Sequence, residues 1–289
     1  MDKQAIVIGA GPAGISAAIY LVRAGIKTTV IYRDMGALGK TEAIENYYGF
    51  AEPISGPQLF ETGLAQARRL GVRIDQDEVV GLGWEDSMTV IAQHKTYPAD
   101  VIILATGAAR IAPKIDGLRE LEGRGVSYCA VCDAFFYRQK DVAVIGHGEY
   151  ALHEALELTA TCKSVTIFTL GRTPEFEIPA DAANLSVDQR KIVKLLGTDR
   201  LESLSLDDGT LVPMDGLFVA VGVAGSADLA RKIGAEVDGV KIVVDEHKAT
   251  TMPGVYACGD CTGGMLQVAK AVYDGALAAS DAIKYLRNL

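Results

Sequence analysis

Two cysteines stand three residues apart in Cys129-Ala130-Val131-Cys132, and an acid, Asp133, follows at once. A thiolate, not a thiol, attacks a disulfide or an electron-poor cofactor, and a Cys-x-x-Cys pair at a helix start has one thiol pKa drawn toward neutrality. A carboxyl group in the next position is the natural proton carrier for the departing thiolate. The pair therefore reads as a dithiol that moves electrons two at a time. The chain also offers a place for a redox cofactor, because Gly9-Ala10-Gly11-Pro12-Ala13-Gly14 is a complete G-x-G-x-x-G.

Residues 4 to 8 predict a buried strand, 13 to 24 a helix and 28 to 33 a second strand, with the glycine turn at the first bend. In such a turn the first glycine permits the tight bend, the second lets a pyrophosphate approach the backbone, and the third lets helix and strand pack closely. A lone G-x-G-x-x-G is a weak signal; the strand before it and the helix after it make it a strong one. The plan recurs at 141 to 168, where DVAVIG, Gly146-His147-Gly148-Glu149-Tyr150-Ala151, a helix through Leu158 and SVTIF repeat the order. VIILATG at 101 to 107 and LFVAVG at 217 to 222 match each other as well. The expectation is an α/β chain of two dinucleotide-binding, Rossmann-like domains, the second inserted into the first. Residues 1-114 and 225-289 form one domain and 115-224 the other.

Composition limits the alternatives. The chain has 289 residues, 49% of them hydrophobic, which suffices for two compact cores and excludes disorder. A net charge of -9 without any Lys/Arg run disfavours a nucleic-acid partner. Residues 5 to 22 are uncharged, yet the cluster Gly9, Gly11, Pro12 and Gly14 fits a phosphate turn better than a membrane span or signal core, so a cytoplasmic protein is expected. The competing reading of Cys129 and Cys132 is half of a zinc site. Its second half would be Cys258 and Cys261, more than a hundred residues away, where zinc ribbons place the pairs roughly 15 to 20 apart. Cys258 and Cys261 are expected to be small residues flanking the Gly259-Asp260 turn, and Cys162 inert. His94, His147, His153 and His247 show no clustering with carboxylates that would suggest a metal or a triad, Trp84 is expected to be ordinary packing, and Arg68-Arg69 a solvated helix face. No metal site is expected.

Five segments taken together resemble the low-molecular-weight thioredoxin reductases, a two-domain flavoprotein family, over nearly the whole chain: GAGPAG at 9 to 14, ENYYGF at 45 to 50, ATG at 105 to 107, GRGVSYCAVCDAFFY at 123 to 137 and GVYACGDCTGG at 254 to 264. The resemblance implies FAD in the first domain, with Gly9, Gly11, Pro12, Ala13 and Gly14 on the pyrophosphate. It places Tyr32 and Arg33 where an acid usually holds the adenosine ribose, and Val79 at the adenine. Thr106 and Gly107 fall beside the adenylate half, Asn46 near the isoalloxazine, and Gly259 and Asp260 on the ribityl-phosphate side. Gln267 and Val268 fall at the pyrimidine end, where Gln267-Val268-Ala269 replaces the usual Arg-Gln-Ala. It further implies that Cys132 is the cysteine nearer the flavin, that Cys129 faces a thioredoxin or thioredoxin-like partner, and that Asp133 is the acid/base. A homodimer whose second domain rotates between flavin and partner completes the expectation.

The second fingerprint departs from the family. Binding NADPH needs cations around the 2'-phosphate. Where conventional members carry a His-Arg-Arg run and a further Arg, this chain has Thr169, Leu170, Gly171 and Glu175, with Arg172 displaced from the matching positions. His147 and Tyr150 add bulk on the pyrophosphate path, and the helix expected between Thr173 and Leu185 is truncated. Divergent members that take electrons from ferredoxin, or from a reduced deazaflavin, share this loss, and residues 263 to 272 resemble theirs. Ferredoxin at about -400 mV is low enough to reduce thioredoxin at about -270 mV, downhill by roughly 6 kcal/mol. The expected activity is FAD-dependent disulfide reduction with ferredoxin as donor. The alternatives are an NADPH-dependent enzyme, a deazaflavin-dependent one and a non-catalytic flavin sensor.

Overall fold

A computed structural model describes residues 3–84, 87–107, 113–128, 130–221 and 226–289, with the side chains of Lys40, Val131 and Cys132 outside that description. In chain order the elements are β1 (Gln4–Ile8), α1 (Pro12–Arg23), β2 (Lys27–Tyr32), α2 (Gly56–Arg69), β3 (Arg73–Gln76), β4 (Val79–Trp84), β5 (Met88–Ala92), β6 (Thr96–Ala99) and β7 (Val101–Leu104). Next come β8 (Val126–Ser127), α3 (Ala130–Asp133), β9 (Asp141–Ile145), α4 (Glu149–Thr159), β10 (Ser164–Phe168), β11 (Leu185–Asp188), β12 (Ile192–Leu196), β13 (Ser203–Leu206), β14 (Leu211–Pro213) and β15 (Gly216–Val219). The chain closes with α5 (Ser226–Lys232), β16 (Val237–Asp238), β17 (Lys241–Ile242), β18 (Val255–Ala257) and α6 (Val268–Asn288).

The chain divides into two compact units, Met1–Ala109 with Gly225–Leu289, and Arg110–Ala224. In the first unit a parallel sheet has the order β18-β7-β1-β2-β3, and β4-β5-β6 form a separate antiparallel sheet. The strands β1 and β7 are buried almost throughout, as continuous apolar runs such as AIVI and VIIL require when both faces are covered. Helix α6 lies close to α1. A Cβ on Gly275 would come within 2.0 Å of the Ala13 oxygen, and Ser16 donates a hydrogen bond to the Val272 oxygen at 2.7 Å. Only a residue without a side chain permits that approach, which ties the C-terminal helix to the first.

The second unit is built on the same order. Its parallel sheet runs β11-β10-β9-β15-β8, and β12-β13-β14 form its antiparallel partner. In each unit the fingerprint strand, β1 or β9, is central. It lies between the strand that follows the fingerprint helix and a late-returning strand. Two expectations need correction. Trp84 is 56% exposed rather than packed, because it closes β4, two residues beyond Leu82, the last buried position of the strand. Tyr150 is not on a phosphate path; it is among the largest fully buried side chains of the second unit, on the core face of α4.

Candidate functional site

In the first unit the turns after β1, β7 and β18 all lie at the carboxyl edge of one parallel sheet, the place where such sheets bind ligands. Gly9 has φ +109, and a Cβ there would sit 2.3 Å from the Ala105 oxygen. A Cβ on Gly14 would meet the Gly9 oxygen at 1.8 Å, whereas one on Gly11 would meet nothing within 4 Å. The first and third glycines are thus filled against protein backbone and the second borders open space, which is the room a pyrophosphate needs. Gly11 caps α1 without a side-chain hydrogen bond, Pro12 follows at the start of the helix, and the first turn carries no acid. The positive end of α1 therefore faces that space without a competing negative charge. This cradle fits the phosphates of a dinucleotide such as FAD.

The other first-unit residues surround this edge. The Thr106 and Ser226 hydroxyls are hydrogen-bonded, and Ser226 also donates to the Gly107 oxygen at 3.4 Å. Gly259 and Asp260 form a short 3-10 turn, with the Gly259 Cβ position 2.9 Å from the Ala13 side chain. Burial raises the Asp260 carboxyl above its ordinary value. Beneath the turn, Lys270 Nζ donates to the Gly259 and Gly263 oxygens, both at 2.7 Å, and pairs with the buried Asp274 at 2.8 Å. Asp274 also pairs with Lys248 at 3.0 Å and accepts from the Gly259 N–H at 3.2 Å. Sequence reasoning missed this charged support, for which the spacing of Lys270 and Asp274 on one helix face is the legible signal. Asn46 and Gln267, 221 residues apart, are joined by a hydrogen bond from Asn46 Nδ2 to Gln267 Oε1 at 2.8 Å, and Val268 opens α6 next to it. Tyr32 ends β2 with its ring edge against Phe60. Arg33 pairs with Asp34 at 2.6 Å and with Glu78 at 3.7 Å, and Val79 is buried at the start of β4.

Cys258 and Cys261 flank this turn and are buried, free thiols. Cys261 donates to the Cys258 oxygen at 3.2 Å and to the Leu104 oxygen at 3.5 Å. Burial pushes the Cys258 thiol well up and the Cys261 thiol up to about 11, so both are protonated at neutral pH. Cys162 is buried too, with its thiol raised by the same cause.

In the second unit Cys129 lies outside the described residues, Cys132 belongs to the single turn of α3, and Asp133 ends that turn. Asp133 is half-buried and accepts a hydrogen bond from Ser127 Oγ at 2.7 Å, which holds its carboxylate toward β8. At the other end of α3 the Ala130 N–H donates to Oε2 of Glu154, on α4, at 2.8 Å. Sequence reasoning missed Glu154. Its signal is an acid on the stripe Tyr150, Glu154, Leu158, where helical spacing calls for an apolar residue. Phe135 and Phe136, immediately after α3, are 76% and 68% exposed.

The second fingerprint turn is arranged differently from the first. Gly148 caps α4, but Glu149 stands in its first turn. The Glu175 N–H donates to the His147 oxygen at 2.7 Å, which folds residues 174 to 177 back over the turn. An acidic groove results, lined by Glu149, Leu152, Pro174, Glu175, Phe176 and Glu177. Arg172 faces His147 Nε2 at 3.3 Å, and Glu175 approaches the same nitrogen at 3.9 Å. Each histidine lies near a carboxylate: His94 with Asp77 at 2.9 Å, His153 with Glu157 and His147 with Glu175 at 3.9 Å, and His247 with Glu246 at 3.7 Å. Among the described residues none of these belongs to a group that could hold a metal, and no helix is long and apolar enough to cross a membrane.

Comparison with known proteins gives the same picture. The model of the pyridine nucleotide-disulphide oxidoreductase family matches residues 3–275. The thioredoxin reductase of Listeria monocytogenes is 36% identical, covering 98% of this chain and 94% of its own. Among solved structures, the atypical thioredoxin reductase TRi from Desulfovibrio vulgaris Hildenborough is 42% identical with a TM-score of 0.93, covering 99% and 98% of the two chains. A ferredoxin-flavin thioredoxin reductase from Clostridium acetobutylicum is 29% identical with a TM-score of 0.73, covering 99% of each. With a dinucleotide cradle in its first unit and a Cys-x-x-Cys-Asp turn in its second, the chain is an FAD-binding enzyme that belongs to the pyridine nucleotide-disulphide oxidoreductase family, among the thioredoxin reductases.

Proposed function

We propose that this enzyme reduces thioredoxin or a thioredoxin-like protein through Cys129 and Cys132 and takes its electrons from ferredoxin rather than NADPH. Residues 1-114 and 225-289 hold FAD, and 115-224 carry the dithiol. When bound, FAD supplies the electron pair that returns the Cys129–Cys132 disulfide to the dithiol. The Cys129 thiolate bonds to one sulfur of the partner disulfide and expels the other, which takes a proton from Asp133. Cys132 then attacks Cys129, frees the second partner thiol and closes the enzyme disulfide, so two electrons pass and the partner leaves as a dithiol. Asp133, held by Ser127 at 2.7 Å, is kept within the turn that carries Cys132. The exposed Phe135 and Phe136 offer an apolar surface beside the dithiol, as a protein substrate needs.

The observation that carries the choice of donor is the second fingerprint turn. Glu149 opposes the helix end that would receive a pyrophosphate, and Glu175 is hydrogen-bonded through its backbone across His147. A 2'-phosphate would meet Glu175 and Glu177 in the groove, with Arg172 engaged by His147. The Clostridium relative is named for ferredoxin, which supports the same choice. A homodimer is part of the reading, because α1, α2 and the start of α6 leave an apolar groove lined by Ile15, Ile19, Leu59, Val268 and Val272. Light scattering on the purified protein checks it.

The test is anaerobic reduction of thioredoxin with either donor. Reduced ferredoxin should drive stoichiometric appearance of thioredoxin thiols, and NADPH should not. Activity with NADPH alone would return the protein to the conventional type. Inertness toward both would point to a deazaflavin donor, and a flavin that is reduced without thiol production would point to a sensor.

A further inference from the structure

One side-chain atom holds both ends of the turn that carries Asp260. Lys270 Nζ donates to the Gly259 and Gly263 oxygens, both at 2.7 Å, and to Thr262 Oγ1 at 3.2 Å, and it pairs with Oδ2 of the buried Asp274 at 2.8 Å. The ammonium group is thus surrounded by more acceptor oxygens than it has N–H bonds. Asp274 accepts the Gly259 N–H at 3.2 Å, so Gly259 is tied to α6 through both its amide and its carbonyl. We propose that Lys270 is a positioning residue for FAD: it fixes the Gly259–Gly263 turn in the shape that holds the cofactor, a role that Lys248, the other cation on Asp274, does not share. The inference rests on the placement of FAD at this edge of the first unit.

The need for such a support follows from the turn's own residues. Gly259 and Gly263 have φ +80 and +76, a region that glycine enters at little cost, but a residue that permits this conformation permits many others as well. The backbone of the turn therefore does not fix itself. Both glycines are buried, so their carbonyls need donors, and a hydrogen bond from an ammonium group is stronger than one from a neutral donor. Peptide planarity passes the constraint on. With the Gly259 carbonyl turned to Lys270, the Asp260 N–H in the same peptide plane is directed the opposite way, away from Lys270. The peptide is held beside α1, where the Cβ position of Gly259 lies 2.9 Å from the Ala13 side chain, and Ala13 is two residues from Gly11, which borders open space. Asp260 and the start of α1 are thereby kept in one fixed relation. A cofactor that touches both binds more tightly when neither has to be ordered on binding.

Lys248 supplies the contrast for the test, because among the described residues its ammonium group pairs with Asp274 at 3.0 Å and with no oxygen of the turn. Lys248→Met and Lys270→Met each remove one positive charge from Asp274 and leave it the other, so the two variants match in charge. Each full-length variant is stripped of flavin and titrated with FAD by flavin fluorescence, and the apo and loaded forms are melted alongside. Lys270→Met should bind FAD about tenfold more weakly than Lys248→Met. The gap between its loaded and apo melting temperatures should narrow accordingly, whereas a purely structural support would lower both forms alike. FAD affinity in Lys270→Met equal to or above that of Lys248→Met overturns the inference, since the shared ion pair would then account for what Lys270 does. If Lys270→Met does not fold, Lys270→Gln against Lys248→Gln makes the same comparison with the same expected direction, because the shorter amide brings only two N–H groups to the turn. Gly11→Asp, which puts an acid at the start of α1, separates the inference from the reading beneath it. Unchanged FAD affinity in Gly11→Asp would overturn the placement of FAD and the inference with it; a loss there, with equal affinity in the lysine pair, would overturn the inference alone.

Discussion

The two units repeat one plan and differ most where a dinucleotide would touch them. Both place a glycine turn at the carboxyl end of a central parallel strand, between the same neighbours in the sheet. In the first, open space borders Gly11 and the helix start is free of acid; in the second, Glu149 stands at the helix start and residues 174 to 177 fold over the turn. The fold is therefore common to both, and the side chains at the turn set the two apart. The same lesson holds for the Cys-x-x-Cys cysteines. Cys258 and Cys261 are sealed beneath the first unit's turn with raised thiol pKa values, while Cys132 belongs to a single helical turn that is followed by the exposed Phe135 and Phe136.

The sharpest way to break this comparison is to put into the first turn what the second tolerates. Ala151 occupies the third fingerprint position of the second unit, but Gly14→Ala would place a methyl 1.8 Å from the Gly9 oxygen. The variant should lose about 3 kcal/mol or more of stability and be purified largely without flavin, as read by melting and by the FAD-to-protein absorbance ratio. A milder import is Gly11→Asp, which meets nothing sterically and brings an acid to the helix start as Glu149 does in the second unit. FAD affinity should fall about tenfold, measured by fluorescence on reconstitution of the apoprotein.

The thiol pairs give the next effect. Because the folded-state pKa of Cys258 and Cys261 is raised above the unfolded value, the folded state holds its protons longer than the unfolded chain. The stabilisation is complete below about pH 9 and is lost as pH rises toward 11. The loss should be on the order of 2 kcal/mol in alkaline melting curves, and should shrink but persist in Cys261→Ala compared over the same range against its own neutral value, because burial alone keeps Cys258 raised. At pH 7.5 iodoacetamide should label the reduced Cys129–Cys132 pair and leave Cys258 and Cys261 unmodified in the native protein. The smallest effect runs in the reverse direction. Opening the second turn with Glu149→Gln and Glu175→Arg should give weak but measurable NADPH binding, a few-fold above the wild type, since it removes repulsion without rebuilding the full cation set.

Much of this was legible in sequence because the glycine requirement is local. Gly9 and Gly14 meet backbone within their own strand and turn or its immediate neighbour, so spacing alone announces them. The absence of a cation at Thr169, Leu170, Gly171 and Glu175 was equally readable, because charge type is a property of the residue. What the residues could not announce was pairing across distance. Glu154 meets Ala130 through the packing of two helices 24 residues apart, and His94 meets Asp77 because a loop brings them together 17 residues apart. Trp84 misled for a related reason: hydrophobicity says what a side chain prefers, while the place where the strand ends decides whether anything covers it. Tyr150 likewise sits one residue from the fingerprint's third small position, and the helix turns it into the core.

The central claim is that the second fingerprint is a fold without a nucleotide site. Titration calorimetry of NADPH into the FAD-loaded wild-type enzyme addresses it directly, without depending on any donor or partner. The account predicts no saturable heat up to millimolar nucleotide, and stoichiometric binding with a dissociation constant in the micromolar range would contradict it.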